Sequence, residues 1–366
     1  MRIGMDARFL VQERTGVETY FQELLQQLVR LDNDEIVLFH GAGVRPNLPP
    51  GRWRSVEAVG PSWLWALNGA LRRERLDLFY SPVTAFPPLG SLRIVATIHD
   101  LSWHHVPESY TAMERLRQKR WTALAVRRAH RVVTVSDASA NDLAALFAEA
   151  RRKTVVVPPG VPEIFHQAVS PQERRRVAGR YRLEGRYLLT VGSFHPRKNL
   201  TALVSAYDRF RSQTPERIQL LLAGKGGRES GAVLGRIARS PHRRDILVPG
   251  YVPAEDLPAL YAGADLFVLM SSYEGFGIPA LEAMACRTPV LVSDLPVFRE
   301  VCGAGALCSA PGDAAAVAAA IAESIRDTPE RGKRLEAAAR RAREFSWERS
   351  AVRLRQVFED VAREAA

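Results

Sequence analysis

A nearly unbroken apolar run, Ala264 to Met270 (ADLFVLM), stops at a polar, glycine-bearing stretch, Ser271 to Asp294 (SSYEGFGIPALEAMACRTPVLVSD). An apolar run without alternation is the pattern of a strand covered on both faces, as parallel sheets require. Open α/β sheets gather their ligands where such strands end, so chemistry is expected from Ser271 onward. Gly275 and Gly277 keep the loop free of side chains, and Pro279 suits a first helical turn, where its missing N–H would be unpaired anyway. A short helix is predicted over roughly 279–286, with Thr288-Pro289 as the turn and Val290-Leu291-Val292 as the next strand. The helix entry at Phe276, Gly277 and Ile278 offers backbone N–H groups and the positive end of the helix dipole, a seat for an anion such as pyrophosphate.

Two carboxylates flank that seat, Glu274 in the loop and Glu282 in the helix, eight residues apart. Each has about four lone-pair sites and can accept two sugar hydroxyls; from spacing alone, a capping carboxylate and a solvated helix residue serve as well. The stretch EGFGIPALEAMACRTPVLVSD resembles the E-x7-E motif of the retaining glycosyltransferases of family 4. That resemblance implies the GT-B fold: an α/β protein of two Rossmann-like parallel-sheet domains facing across a cleft. It further implies that Glu274 meets the transferred sugar and Glu282 the ribose hydroxyls, with Phe276, Gly277 and Ile278 at the nucleotide.

At 366 residues the chain exceeds what one core supports, so two domains of about 150–200 residues are expected. The boundaries fall at 1–165 for an acceptor-binding domain, 186–345 for a nucleotide-sugar-binding domain, and 346–366 for a terminal helix packing back on the first. Residues 162–186, basic and poorly periodic, read as the linker. No apolar run nears the ~20 residues that span a bilayer, and Asp6 and Arg8 interrupt any leader-like segment, so a cytoplasmic location is expected. Cys286, Cys302 and Cys308 have no metal-ligand spacing and suit a reducing compartment. A net charge of +11 favours anionic partners without choosing among them.

Along the first half, Arg2 to Met5 read as a strand, followed by a loop to Thr15 and an amphipathic helix carrying Tyr20, Phe21, Leu24, Leu25 and Leu28. Thr15-Gly16-Val17 resembles the family's first glycine loop, and Gly16 is assigned to the donor; a helix entry with no ligand is the alternative. Asp32-Asn33-Asp34 has a D-x-D form but lies in an ordinary αβ turn. Residues 41–61 read as a long loop across the sheet edge, and Trp63 and Trp65 as packing residues, with an acceptor-side aromatic surface as the alternative. The strand Arg93 to Ile98 delivers His99 and Asp100 to its C-terminal edge. TIHDLSWHHVPE resembles the family's H-D stretch, which implies His99 at the transferred sugar, while Asp100 reads as structural, capping the next turn or orienting His99. The spacing of His104 and His105 from His99 makes no zinc pair. A basic amphipathic helix over about 111–131 suits either an anionic membrane or plain solvent.

In the second half, the strand from Tyr187 to Gly192 delivers SFHPRKN, with Arg197 and Lys198 just past its end. A guanidinium fork and a mobile ammonium suit a diphosphate leaving group, whose charge grows as its bond breaks. The loop resembles the family's G-x-x-x-P-R-K-N, which implies that role for Arg197 and Lys198. Gly224-Lys225-Gly226-Gly227 is no P-loop, and Gly224 is assigned to the nucleotide as a backbone surface for the base.

Taken together, His99, Arg197, Lys198 and Glu274 are the expected catalytic residues. Gly16, Arg197, Lys198, Gly224, Phe276, Gly277, Ile278 and Glu282 are expected at the donor. No metal or other cofactor is expected, because two cations and a helix end already meet the pyrophosphate; the resemblance implies a nucleoside-diphosphate sugar, GDP-mannose before UDP-hexoses, and a saccharide or lipid-linked saccharide acceptor. It also implies no enzymic nucleophile, the leaving phosphate taking the acceptor's proton on the same face. A sugar-nucleotide epimerase of the same fold is the alternative enzyme. A nucleic-acid module is disfavoured, because no aromatic-basic alternation or helix-turn-helix pattern accompanies the charge.

Overall fold

The computed structural model describes residues 1–10, 16–31, 33–43, 48–60, 62–87 and 90–364. Its first sheet contains β1 (Arg2–Asp6), β2 (Glu35–His40), β3 (Trp53–Glu57), β4 (Leu78–Ser81), β5 (Arg93–Ile98), β6 (Arg131–Thr134) and β7 (Thr154–Val156). They lie in the order β3-β2-β1-β4-β5-β6-β7, and each pairing is parallel. The second sheet contains β8 (Tyr187–Val191), β9 (Gln219–Ala223), β10 (Ile246–Gly250), β11 (Leu266–Leu269), β12 (Val290–Ser293) and β13 (Leu307–Ser309). Their order is β10-β9-β8-β11-β12-β13, again all parallel. In each sheet the strand order reverses once, between β1 and β4 and between β8 and β11, and such a reversal opens a crevice at the carboxyl ends.

Met1–Gly160 joins the residues from Ser346 onward as one unit, and Val161–Phe345 forms the other. The helix Trp347–Arg363 belongs to the first unit: Trp347 meets Tyr20 at 5.8 Å and Phe358 meets Tyr80 at 5.4 Å between ring centroids. Arg355 Nε adds an ion pair to Asp34 Oδ2 at 2.8 Å. In the second unit, Leu188, Leu220, Leu222, Leu266 and Val268 are all fully buried beneath the helices Leu200–Ser212 and Ala314–Ser324. Each such side chain contributes about 1.5–3 kcal/mol on leaving water.

Several expectations change. Residues 41–61 contain the edge strand β3, paired to β2 from Ile36↔Trp53 to His40↔Glu57. Residues 162–186 are no linker: the helix Pro171–Arg180 belongs to the second unit, where Arg176, Arg180 and Tyr181 all bind the fully buried carboxylate of Asp256. Trp65 is 74% exposed and packs into no core. Thr15, and Asp32 of the D-x-D, lie outside the described residues; Asp34 pairs with the chain's amino group and Arg355. Among the described residues no helix is long and apolar enough to cross a membrane.

Candidate active site

The two strands at the second sheet's reversal, β8 and β11, lead into the loops that hold Arg197 and Lys198 and, in turn, Glu274. After β8 the backbone passes Gly192, where an added Cβ would lie 3.3 Å from Cε of Lys198, so the glycine leaves room for the lysine stem. At Gly224 an added Cβ would sit 1.9 Å from the Gly192 carbonyl oxygen, and only glycine permits that backbone approach. The loops are laced together: Phe194 N donates to Lys225 O at 3.0 Å, and Ser272 N donates to Arg197 O at 2.7 Å. Asn199 then takes a left-handed conformation (φ 54°) and opens the helix Leu200–Ser212.

Arg197, Lys198 and Glu274 form one cluster. Arg197 Nη1 lies 2.5 Å from Glu274 Oε2, and Lys198 Nζ lies 2.6 Å from Oε1. Ser271 Oγ donates to Oε1 at 2.6 Å, and Arg197 Nη1 also reaches the Tyr273 carbonyl at 3.2 Å. Glu274 and Lys198 are 6% and 7% exposed. Burial by itself raises the Glu274 carboxyl, but the charges of Arg197 and Lys198 and the hydrogen bonds from Lys198 and Ser271 outweigh it and hold it at about 2. The cluster thus keeps one negative against two positive charges. The sequence set the two cations against a diphosphate and Glu274 against a sugar; here all three engage one another.

The helix that follows spans Ile278–Ala285, with Gly277 at its N-cap in the left-handed region (φ 94°). A Cβ there would meet Phe298 Cε1 at 2.5 Å, so both the angle and the contact require glycine. Phe276 is buried and meets Phe345 edge-on at 5.5 Å, which makes its side chain a packing group and leaves its backbone for a ligand. Ile278 is half-buried. Glu282 is 8% exposed, and its Oε2 accepts the Tyr261 hydroxyl at 2.9 Å. Tyr261 itself is fixed by Thr288, whose hydroxyl donates to the Tyr261 carbonyl at 2.7 Å. Neither Tyr261 nor Ser271 stood out in the sequence as support for the two glutamates, since each touches its partner only once the sheet has formed.

In the first unit, His99 follows β5 and is half-buried. Its Nε2 lies 2.8 Å from the Pro82 carbonyl oxygen, which can only accept, so that nitrogen carries the proton and Nδ1 is left as an acceptor. The neutral ring therefore offers a lone pair at Nδ1. Burial lowers its pKa, more than the opposing pull of Pro82, Asp100 and Glu18. Asp100 Oδ1 accepts from Ser102 N at 2.9 Å and Ser102 Oγ at 2.6 Å, the expected cap. His105 pairs with Asp142 at 3.1 Å, and the described residues include no metal-binding group of His, Cys, Asp and Glu. Gly16 begins the helix Gly16–Leu31, exposed and with open space where a side chain would be.

A further cluster went unread in the sequence. Asp6, fully buried at the end of β1, pairs with Arg8 Nη2 at 2.8 Å and accepts from Trp63 Nε1 at 3.3 Å. Burial raises its carboxyl to about 6, with Arg8 and Trp63 pulling the other way. The only sequence signal was an acid directly after an apolar strand.

Residues 14–163 match the model described as Glycosyltransferase Family 4, and residues 172–343 the model described as Glycosyl transferases group 1. The chain is 32% identical over 361 residues to the O-antigen chain mannosyltransferase B of Escherichia coli, covering 91% of this chain and 93% of that protein. Among solved structures, sucrose-phosphate synthase from Thermosynechococcus elongatus superposes with a TM-score of 0.79 at 19% identity, covering 98% of both chains. The Anabaena protein HepE, in complex with UDP-glucose, does so with a TM-score of 0.77 at 18% identity, covering 98% of this chain and 99% of that one. Two parallel sheets that each reverse once, a glutamate pair eight residues apart and full-length likeness to a mannosyltransferase lead to one assignment: the chain belongs to the family 4, group 1 glycosyltransferases of GT-B fold.

Proposed function

We propose that this glycosyltransferase moves mannose from GDP-mannose to a saccharide or lipid-linked saccharide, with retention at the anomeric carbon and without a metal. The observation that carries mannose as the transferred sugar is the 32% identity over 361 residues to an O-antigen mannosyltransferase. In this reading the second unit holds the donor: Arg197 and Lys198 neutralise the diphosphate, Glu282 takes the ribose hydroxyls, and Glu274 bears on the sugar. Gly224 and the backbone of Phe276, Gly277 and Ile278 supply surface without side chains. Gly16 and His99 are the first unit's contribution, His99 as an acceptor for a sugar hydroxyl. Charge neutralisation of a leaving group by fixed cations lowers the barrier because little reorganisation accompanies bond breaking. The acceptor falls to the first unit, whose basic helix Ala112–Arg128 suits an anionic lipid surface.

The test is product analysis. The purified chain is incubated with GDP-mannose, UDP-glucose or no donor, with and without a chelator, alongside a lipid-linked saccharide fraction, and the product's anomeric configuration is read by NMR. The expected product is an α-mannoside from GDP-mannose that survives the chelator. A product from UDP-glucose alone, a β-linkage or loss of transfer on chelation overturns the corresponding element. Epimerised nucleotide sugar without acceptor would replace transfer by the epimerase reading.

A further inference from the structure

Two cations intended for a diphosphate would, in an empty buried site, repel each other and lack solvation. The protein meets this with a carboxylate of its own. Glu274 places one oxygen 2.5 Å from Arg197 and the other 2.6 Å from Lys198, bridging guanidinium and ammonium as adjacent phosphate oxygens would. The carboxylate is itself steadied by Ser271 Oγ at 2.6 Å, and the cation loop is tied to the glutamate loop through Ser272 N and Arg197 O at 2.7 Å.

From this geometry we infer that Glu274 is an internal stand-in for the donor's diphosphate, holding Arg197 and Lys198 in place and competing with any phosphate that arrives. The inference rests on the diphosphate-donor reading above. It adds a second role to a residue so far placed only at the sugar. Because the incoming diphosphate meets a site of net charge +1 rather than +2, its affinity is the difference between two sets of contacts. The spent nucleoside diphosphate is accordingly held more loosely than a bare Arg-Lys pair would hold it, which favours turnover over product retention.

The test uses inorganic pyrophosphate, which has no sugar for Glu274 to contact. Its binding to the full chain is measured by calorimetry at several salt concentrations, for the wild type, Glu274→Gln and Ser271→Ala. Glu274→Gln keeps the shape and removes the charge, and is expected to bind pyrophosphate about tenfold more tightly with a steeper salt dependence. Ser271→Ala keeps the charge but loosens the carboxylate, and should tighten binding by about two- to threefold, which keeps the test usable if Glu274→Gln does not fold. Pyrophosphate affinity no higher than wild type in every folded variant overturns the inference. The donor reading fails separately: it falls if the wild type binds pyrophosphate but no nucleoside diphosphate or nucleotide sugar.

Discussion

Lys198 Nζ and Glu274 Oε1 lie 2.6 Å apart, both within side chains less than a tenth exposed. Removing one partner of such a pair leaves the other charge poorly compensated in a medium that solvates it badly. Lys198→Met is therefore expected to cost about 3 kcal/mol in urea unfolding, even though Arg197 remains beside the carboxylate.

The same pair gives stability a pH dependence. The folded Glu274 carboxyl titrates near 2, against 4.5 for an ordinary glutamate, so the folded state binds fewer protons between those values. Its contribution is whole above about pH 4.5 and is lost as pH falls toward 2, about 3 kcal/mol in all. Urea midpoints of wild type and Glu274→Gln should converge over that range. A constant difference between them would contradict the assignment.

Asp6 runs the opposite way. Its folded carboxyl titrates near 6 rather than 3.8, so the folded state holds the proton more firmly and stability falls as pH rises between those values. The loss is about 3 kcal/mol, and Asp6→Asn should abolish that slope while also weakening the hold on Arg8. A carboxyl carbon shift titrating near pH 6 in labelled wild type is the direct check.

Donor binding and transfer should separate by residue. Glu282→Ala is expected to raise the donor KM with little change in kcat, while Arg197→Ala should mainly depress kcat, by about a hundredfold. Tyr261→Phe removes the hydroxyl that orients Glu282 and should raise KM by about fivefold, the worth of one hydrogen bond. Initial rates over a range of GDP-mannose concentrations decide all three.

Gly160 sits where the first unit meets its returning strand of chain. An added Cβ would lie 2.1 Å from Trp347 N and 2.6 Å from Ser346 C, both backbone atoms that cannot rotate aside. Gly160→Ala should lower the thermal midpoint by several degrees, corresponding to about 2 kcal/mol or more. Trp347 fluorescence is the natural readout.

How much of this was legible follows the physics of each element. β8 and β11 announce themselves as apolar runs ending in glycine-bearing loops, and these loops hold Arg197, Lys198 and Glu274. β3 has no such run: WRSVE is half-exposed and becomes a strand through its pairing with β2. The helix Pro171–Arg180 buries only Val177, and its place is fixed by polar bonds to Asp256, which lies 80 residues from Arg176. The ion pairs of Glu274 join residues 76 and 77 apart, and Asp6 meets Trp63 across 57 residues. No local pattern encodes such meetings; the sheet order brings them about.

The helix Trp347–Arg363 closes a core begun by β4 and the helix Gly16–Leu31. During synthesis, then, the later-made Val161–Phe345 unit has every residue it needs before the earlier-made one does. The nascent amino-terminal half waits, with Tyr20 lacking Trp347 and Tyr80 lacking Phe358, until residues 347–363 emerge from the ribosome, which inverts the usual order of domain folding.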